Sequence, residues 1–198
     1  MEKDFWLVQQ VREGKASLLL RIYSWNKPAV SVGRRQSLND LPSDLLKMPL
    51  VRRPTGGGAV VHTVEESTYA LAVSRGELPE GIHLKRLTEE LYRLLRELLI
   101  ERGAVSDEEL SLAGEGSGPY TLCFSAPVEG DLLYRGRKVG GAALRAWRET
   151  VLLQGSLQGL PVPKSLLEEV LVSAVESLFL RNVRKERFEL SRAKPTGF

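Results

Sequence analysis

The chemistry of this chain gathers in three short segments. The first, Arg52-Arg53-Pro54-Thr55-Gly56-Gly57-Gly58-Ala59-Val60-Val61-His62, sets three consecutive glycines ahead of a β-like run. Backbone without Cβ atoms lets a carbonyl oxygen or a phosphate approach its amide N–H groups, which makes an anion or oxyanion cradle. The other reading of the same residues is a flexible hairpin turn with two solvated arginines. The second segment, Arg135-Gly136-Arg137-Lys138-Val139-Gly140-Gly141-Ala142-Ala143, is another basic cluster running into glycines. Arg135 to Arg137 read as a solvated hairpin turn. Lys138 stands where the chain re-enters an apolar run, and an unpaired buried ammonium is costly, so it is expected to be paired or pointed into a polar site.

The third segment, Leu122-Cys123-Phe124-Ser125-Ala126-Pro127, holds the one cysteine of the chain. Two roles stand open for it, an inert apolar core residue or a nucleophile. A free thiol with a pKa of about 8.5 is only about 3% thiolate at neutral pH, and a neighbouring cation that lowers the value to about 7 makes it half thiolate. Lys138 is the candidate cation and His62 the candidate base. With only His62 and His83 in the chain, a Cys/His zinc site lacks ligands and no metal is expected, nor does a Ser-His-Asp triad have a sequence signature. The glycine triplet is not followed by Lys-Ser or Lys-Thr, and its glycines are not spaced as in a dinucleotide fingerprint.

The elements that must carry these residues can be read from periodicity. Short β-like runs fill the first third, Ser17 to Tyr23, Ala29 to Val32, Ala59 to His62 and Thr68 to Val73, each bounded by turn or charged residues. From Leu84 to Arg102, leucines at 84, 87, 91, 94, 95 and 98 predict an amphipathic helix that Gly103 stops. A connector closed by Gly114, Gly116, Gly118 and Pro119 reads as a mobile loop. Strands return at Asp131 to Tyr134 and Thr150 to Leu153, and a second helix follows Pro163, with Ser165 and Glu168 at capping-box spacing and a stripe of Leu166, Leu167, Val170, Leu171, Ala174 and Leu178. The tail from Arg181 reads as a frayed end. Strands and helices fall into blocks, which favours an α+β layer architecture over a doubly wound one.

The 198 residues suit one domain, expected to run from 1 to 198, and 42% hydrophobic with 27% charged residues is ordinary globular composition. The formal charge of +3 favours acidic partners mildly through steering and is too small to argue for nucleic acid. Met1 to Val11 shows neither the basic start nor the apolar core of a signal peptide, the uncharged Thr150 to Pro163 stretch is too polar and proline-bearing to span a membrane, and one cysteine forms no internal disulfide. A cytoplasmic protein without membrane partners is expected.

Together the three segments resemble the cofactor transferases and ligases that attach lipoate, octanoate or biotin to a lysine of a carrier domain. The 52 to 62 segment is similar to that family's most specific motif, and Gly136-Arg137-Lys138-Val139-Gly140-Gly141-Ala142 looks like its lysine motif. Trp25, Pro28, Ser31, Gly33 and Gln36 also fall where the family has its early Trp, Pro, Ser-x-Gly and Gln, so the resemblance spans about residues 18 to 160. It implies a biotin/lipoate protein ligase-like catalytic domain of mixed and antiparallel β-sheets flanked by helices.

Within the family, Cys123-Phe124-x-Ala126-Pro127 and Glu66-x-Thr68-Tyr69 look like the cysteine-dependent octanoyltransferases, whereas ATP-using ligases usually carry Asn-Asp where Gly130-Asp131 stands here. The resemblance implies Cys123 as acyl acceptor and Lys138 as hydrogen-bond donor to the acyl carbonyl. It also implies an acyl site lined by Arg53, Thr55, Gly56, Gly57, Gly58, Ala59, His62, Gly140, Gly141 and Ala142. Acyl carrier protein would be the donor, a lipoyl domain or glycine-cleavage carrier protein the acceptor, and no cofactor would be needed. The alternatives are a lipoate-protein ligase using ATP and Mg, and a catalytically reduced homologue that binds an acyl chain or a carrier. The last is motivated by two departures: Gly140-Gly141-Ala142-Ala143 stands for the usual Gly-Ser-Ala-Gln, and Gln154-Gly155-Ser156 for His-Gly-Ser. Met1 to Glu13 also matches poorly the family's acidic, asparagine-bearing first helix.

Overall fold

The computed structural model describes residues 1–114 and 122–180; the connector glycines Gly116 and Gly118, Pro119 and the tail from Arg181 lie outside the described residues. The chain opens with a helix that periodicity did not announce, α1 (Glu2–Arg12). The strands β1 (Leu18–Tyr23), β2 (Ala29–Val32), β3 (Leu50–Arg52), β4 (Val60–His62) and β5 (Ser67–Ser74) come next, then α2 (Leu87–Glu101), β6 (Leu110–Leu112), β7 (Leu132–Tyr134), β8 (Arg137–Ala146), β9 (Thr150–Leu157) and α3 (Lys164–Leu180). The architecture is α+β. A six-stranded sheet has the order β1-β5-β9-β8-β7-β6, and a three-stranded sheet the order β3-β2-β4. All neighbours in the large sheet are antiparallel, while the small one is mixed, β2 running parallel to β3 and antiparallel to β4.

Side-chain alternation divides the large sheet into two faces. Leu18, Leu20, Tyr69, Leu71, Val73, Val151 and Leu153 join the main core, which α2 and α3 cover with Leu87, Leu91, Leu95, Leu99, Val170, Leu171 and Ala174. Leu84 and Leu98 of the predicted stripe are only partly buried at its edge. Leu84 belongs to a short 3-10 turn ahead of α2. The opposite face presents Leu19, Ala70, Ala72 and Leu152, on which α1 packs Leu7, Val8 and Val11. The capping-box expectation at Ser165 is corrected: α3 already begins at Lys164, and Glu168 instead accepts from Ser67 Oγ at 3.1 Å.

Alternation also aims the functional segments. Residues paired across antiparallel strands share a face, and Tyr23 pairs with Thr68, Ser156 with Gly141 and Gln154 with Ala143. All of these lie on the α1 side. The strand β8 was not legible in advance, because Gly140, Gly141, Arg137 and Lys138 are poor strand formers. The predicted hairpin turn is present, with positive φ at Arg135 (48°) and Gly136 (75°) joining β7 to β8. The register shifts between Leu132 and Leu133, and Val139 and Gly140 both pack toward the main core. That slip in alternation turns Lys138 to the same face as Gly141, as register shifts do. A Cβ built on Gly141 would sit 2.7 Å from Lys138 Cε.

Candidate active site

The triple-glycine segment leaves β3 and is folded around Arg53. This guanidinium is 6% exposed, and therefore not the solvated arginine of the turn reading. It donates from Nη2 to the carbonyls of Gly56 (2.7 Å) and Gly58 (2.6 Å) and from Nη1 to Ser31 O (3.1 Å) and Oγ (3.2 Å). Burial pushes the guanidinium pKa down, against the opposing pull of Cys123 and Tyr23. The loop closes tightly on β2: a Cβ on Gly33 would meet Gly57 O at 2.0 Å, and Gly57 itself has φ of 86°. Thr55 Oγ1 donates to Gln154 Oε1 at 2.9 Å. Gln154 Nε2 in turn donates to Asp4 Oδ2 at 2.7 Å, and Asp4 pairs with Arg21. Through Gln154, α1, β9 and the glycine loop are tied at one buried point.

Cys123 is held against the far end of that loop. Its N–H donates to Ala59 O at 2.7 Å, beside a parallel bridge between Ala59 and Leu122. Lys138 Nζ donates to Cys123 O at 2.8 Å, lies 3.5 Å from Cys123 Sγ and 2.5 Å from Asp131 Oδ2. Both ion-pair side chains are nearly inaccessible, at 2% and 4%. Burial pushes the Asp131 carboxyl up, while the Lys138 and Val128 hydrogen bonds pull the other way. Sequence reasoning missed Asp131; its signal was the buried lysine itself, which required a counter-ion.

His62 is 3% exposed and has both ring nitrogens engaged, Nδ1 with Glu66 Oε1 at 2.5 Å and Nε2 with Ser31 Oγ at 2.7 Å. Neither hydrogen bond goes to Cys123; of the two groups expected beside the thiol, Lys138 is in contact with it and His62 is not. Trp25 stacks on the imidazole at 4.1 Å between centroids and donates from Nε1 to Thr68 Oγ1 at 2.9 Å. Glu66 Oε1 also accepts from Thr68 and Ser156 hydroxyls. Burial works to raise this carboxyl, and the hydrogen bonds from His62, Thr68 and the Thr63 N–H outweigh it and hold the pKa below the usual carboxylate range.

Several of these groups line a cavity that is open to solvent at its mouth, while Lys138, Asp131 and Glu66 stand behind its wall. Arg53, His62, Cys123, Gly141 and Ala142 are on its wall, joined by Tyr23, Gln154 and Met1, which sequence reasoning did not place there. Gly140 turns away, toward Leu132, Leu157 and Tyr92, and is not on this wall, where the resemblance had implied it. Among the described residues, no cluster of His, Cys, Asp and Glu has the makings of a metal site, and no helix is long and apolar enough to cross a membrane.

The fold and this cavity define a lipoyl-ligase class of domain, and the chain belongs to that family: residues 1–190 match the lipoyl protein ligase A/B catalytic domain. Among curated relatives, it is 35% identical over 190 residues to Octanoyltransferase LipM of Exiguobacterium sp., covering 86% of this chain and 63% of the relative. It is 32% identical over 170 residues to Octanoyltransferase LipM of Bacillus subtilis, covering 79% and 59%. The chain thus spans about six tenths of the length of the curated relatives it matches. Among solved structures, protein Ta0514 of T. acidophilum with bound lipoic acid superposes with a TM-score of 0.67 at 15% identity, over 89% of this chain and 80% of that one. Lipoate-protein ligase A bound with ATP gives a TM-score of 0.63 at 15% identity, over 87% and 78%. At this identity the two structures speak for the fold.

Proposed function

We propose that this chain moves an octanoyl group from acyl carrier protein, through a thioester on Cys123, to the lysine of a lipoyl domain or glycine-cleavage carrier protein. One observation carries the reading: the Lys138 ammonium lies against both the carbonyl oxygen and the sulfur of Cys123, which itself stands on the wall of a largely apolar cavity. The name of the curated relatives, Octanoyltransferase LipM, supports the same chemistry.

In the first half-reaction the Cys123 thiolate attacks the octanoyl thioester, the bond to the carrier sulfur breaks, and the carrier thiol leaves with the proton. Thioester exchange is nearly balanced in free energy. In the second, a neutral lysine amine attacks the acyl-enzyme, an amide forms, and Cys123 recovers its proton. This step runs downhill, so the route consumes no ATP. Lys138 and the glycine-loop amides are the donors for the developing oxyanion, each well-placed donor contributing about 3–4 kcal/mol in other acyl transferases.

The test supplies a purified lipoyl domain with octanoyl acyl carrier protein, or with lipoate, ATP and Mg²⁺. Octanoylation of the domain by wild type and not by Cys123→Ser supports the transferase. Modification with lipoate and ATP that survives Cys123→Ser replaces it with the ligase reading. Acyl or carrier binding without any modification replaces it with a binding homologue.

A further inference from the structure

Lys138 stands beside the cavity wall, held between Cys123 and Asp131. Its Nζ contacts Asp131 Oδ2 at 2.5 Å, Cys123 O at 2.8 Å and Cys123 Sγ at 3.5 Å, and sits 5.3 Å from the Phe124 ring centroid. Asp131 is fixed in turn by the Val128 N–H at 2.7 Å. An ammonium already balanced by a carboxylate has a reduced pull on the thiol, and a thiolate added to that pair would leave an excess negative charge in a buried place, which is costly. The cost disappears when the carboxylate takes up the proton that the thiol loses.

We infer that Asp131 is a positioning residue for the transfer, its carboxylate receiving the Cys123 proton through the Lys138 ammonium. Nζ passes one of its protons to Oδ2 and, with the lone pair so freed, takes up the thiol proton as the S–H bond breaks. Thiol, ammonium and carboxylate become thiolate, ammonium and carboxylic acid, and the net charge of the group is unchanged. When the tetrahedral adduct collapses, the departing carrier thiolate takes the proton back by the same path. In the second half-reaction the acceptor amine gives up its proton along this route and Cys123 Sγ recovers it.

Among the described residues, the other titratable neighbours do not compete for the proton. Cys123 bears electrostatically on Arg53 and Tyr92, and Asp131 on Tyr69 and Tyr92. The two phenols bond each other at 3.2 Å and are pushed up by burial, so they remain neutral. Arg53 is occupied by the loop carbonyls, and Glu66 by His62, Thr68 and Ser156. Glu89, on α2, packs its stem toward Gly130 and pairs with Arg86 at 3.6 Å. His62, the base expected from sequence, is held by Glu66 and Ser31.

The inference rests on the transferase reading, and its test includes a measurement that needs no acyl substrate. In the full chain, Asp131→Asn is expected to raise the rate of Cys123 alkylation by iodoacetamide at neutral pH at least threefold, since the thiolate becomes the sole counter-ion of Lys138. The same variant is expected to slow octanoyl transfer at least tenfold, because the acceptor amine then has no carboxylate to take its proton in the second half-reaction. Asp131→Glu is expected to keep alkylation within twofold of wild type and to recover transfer. A folded Asn variant with unchanged or slower alkylation, or with wild-type transfer, overturns the proposal. If the Asn variant does not fold, the Glu variant decides: faster alkylation or abolished transfer in a folded Glu variant overturns the proposal, and wild-type alkylation with transfer supports it. If wild type transfers nothing yet alkylation responds as stated, the transferase reading falls and the Asp131 coupling to the thiol remains.

Discussion

Lys138 Nζ lies 2.8 Å from the carbonyl oxygen of Cys123 and 3.5 Å from its sulfur, across a separation of 15 residues in the chain. The hairpin from β7 to β8 and the hydrogen bond from the Cys123 N–H to Ala59 O bring the two together, so neither group is placed by its own segment alone. Lys138→Met is expected to reduce octanoyl transfer by roughly 10²–10³, the loss associated with one oxyanion donor. Its stability is expected to fall by about 3 kcal/mol, because Asp131 then stays buried without its partner. Single-turnover rates and urea unfolding measure the two effects separately.

Two glycines separate activity from folding. At Gly141 a methyl would meet the flexible end of Lys138, Cε at 2.7 Å and Nζ at 3.1 Å, whereas at Gly155 it would meet the Tyr69 ring at 2.3 Å. Gly141→Ala is expected to lower transfer at least tenfold with a shift in unfolding free energy below about 1 kcal/mol, the lysine moving aside. Gly155→Ala forces a fully buried ring and is expected to cost about 3 kcal/mol or more, as overpacking of a dense core does. Paired activity assays and denaturation curves on the two variants test the distinction.

The parts of the molecule visible in the sequence were those with clean periodicity or unusual composition. The leucine stripe of α2, the strands β1, β2 and β5, and the glycine triplet all left such signals. The strand β8 did not, because its glycines serve close packing rather than strand propensity, and α1 has too mixed a pattern to stand out over 11 residues. The Asp131 and Lys138 pair depends on a register shift near Leu132, and residue spacing carries no trace of that. Arg53 reads as solvated until the loop carbonyls that surround it are in place.

Arg53→Lys should therefore not behave as a conservative change. A single ammonium cannot reach the carbonyls of Gly56, Gly58 and Ser31 together, and a buried acceptor left without a donor costs about 1–3 kcal/mol. The expected outcome is a loss of about 2–4 kcal/mol in urea unfolding and at least a tenfold loss of transfer, as the glycine loop loses its shape. Wild-type stability and activity in this variant would mean that the guanidinium does not organise the loop.

Glu66 gives the fold a defined acid sensitivity. Its carboxyl is held below the usual range in the folded state, where the His62, Thr68 and Thr63 hydrogen bonds outweigh burial. A carboxyl depressed in this way stabilises the fold above its unfolded pKa of about 4.3 and loses that contribution as pH falls through the lower folded value. Wild type is expected to lose more of its urea midpoint than Glu66→Gln on moving from neutral pH into that acid window. Parallel midpoints across the range would show that the carboxylate contributes nothing there.

The acyl-enzyme is the most direct point of attack on the whole reading. Intact-mass analysis with peptide mapping, after brief mixing of the chain with octanoyl acyl carrier protein, is expected to find one added octanoyl group, located on Cys123 and removed when a lipoyl domain is supplied. A lipoyl domain that becomes octanoylated while Cys123 never carries the group would contradict it.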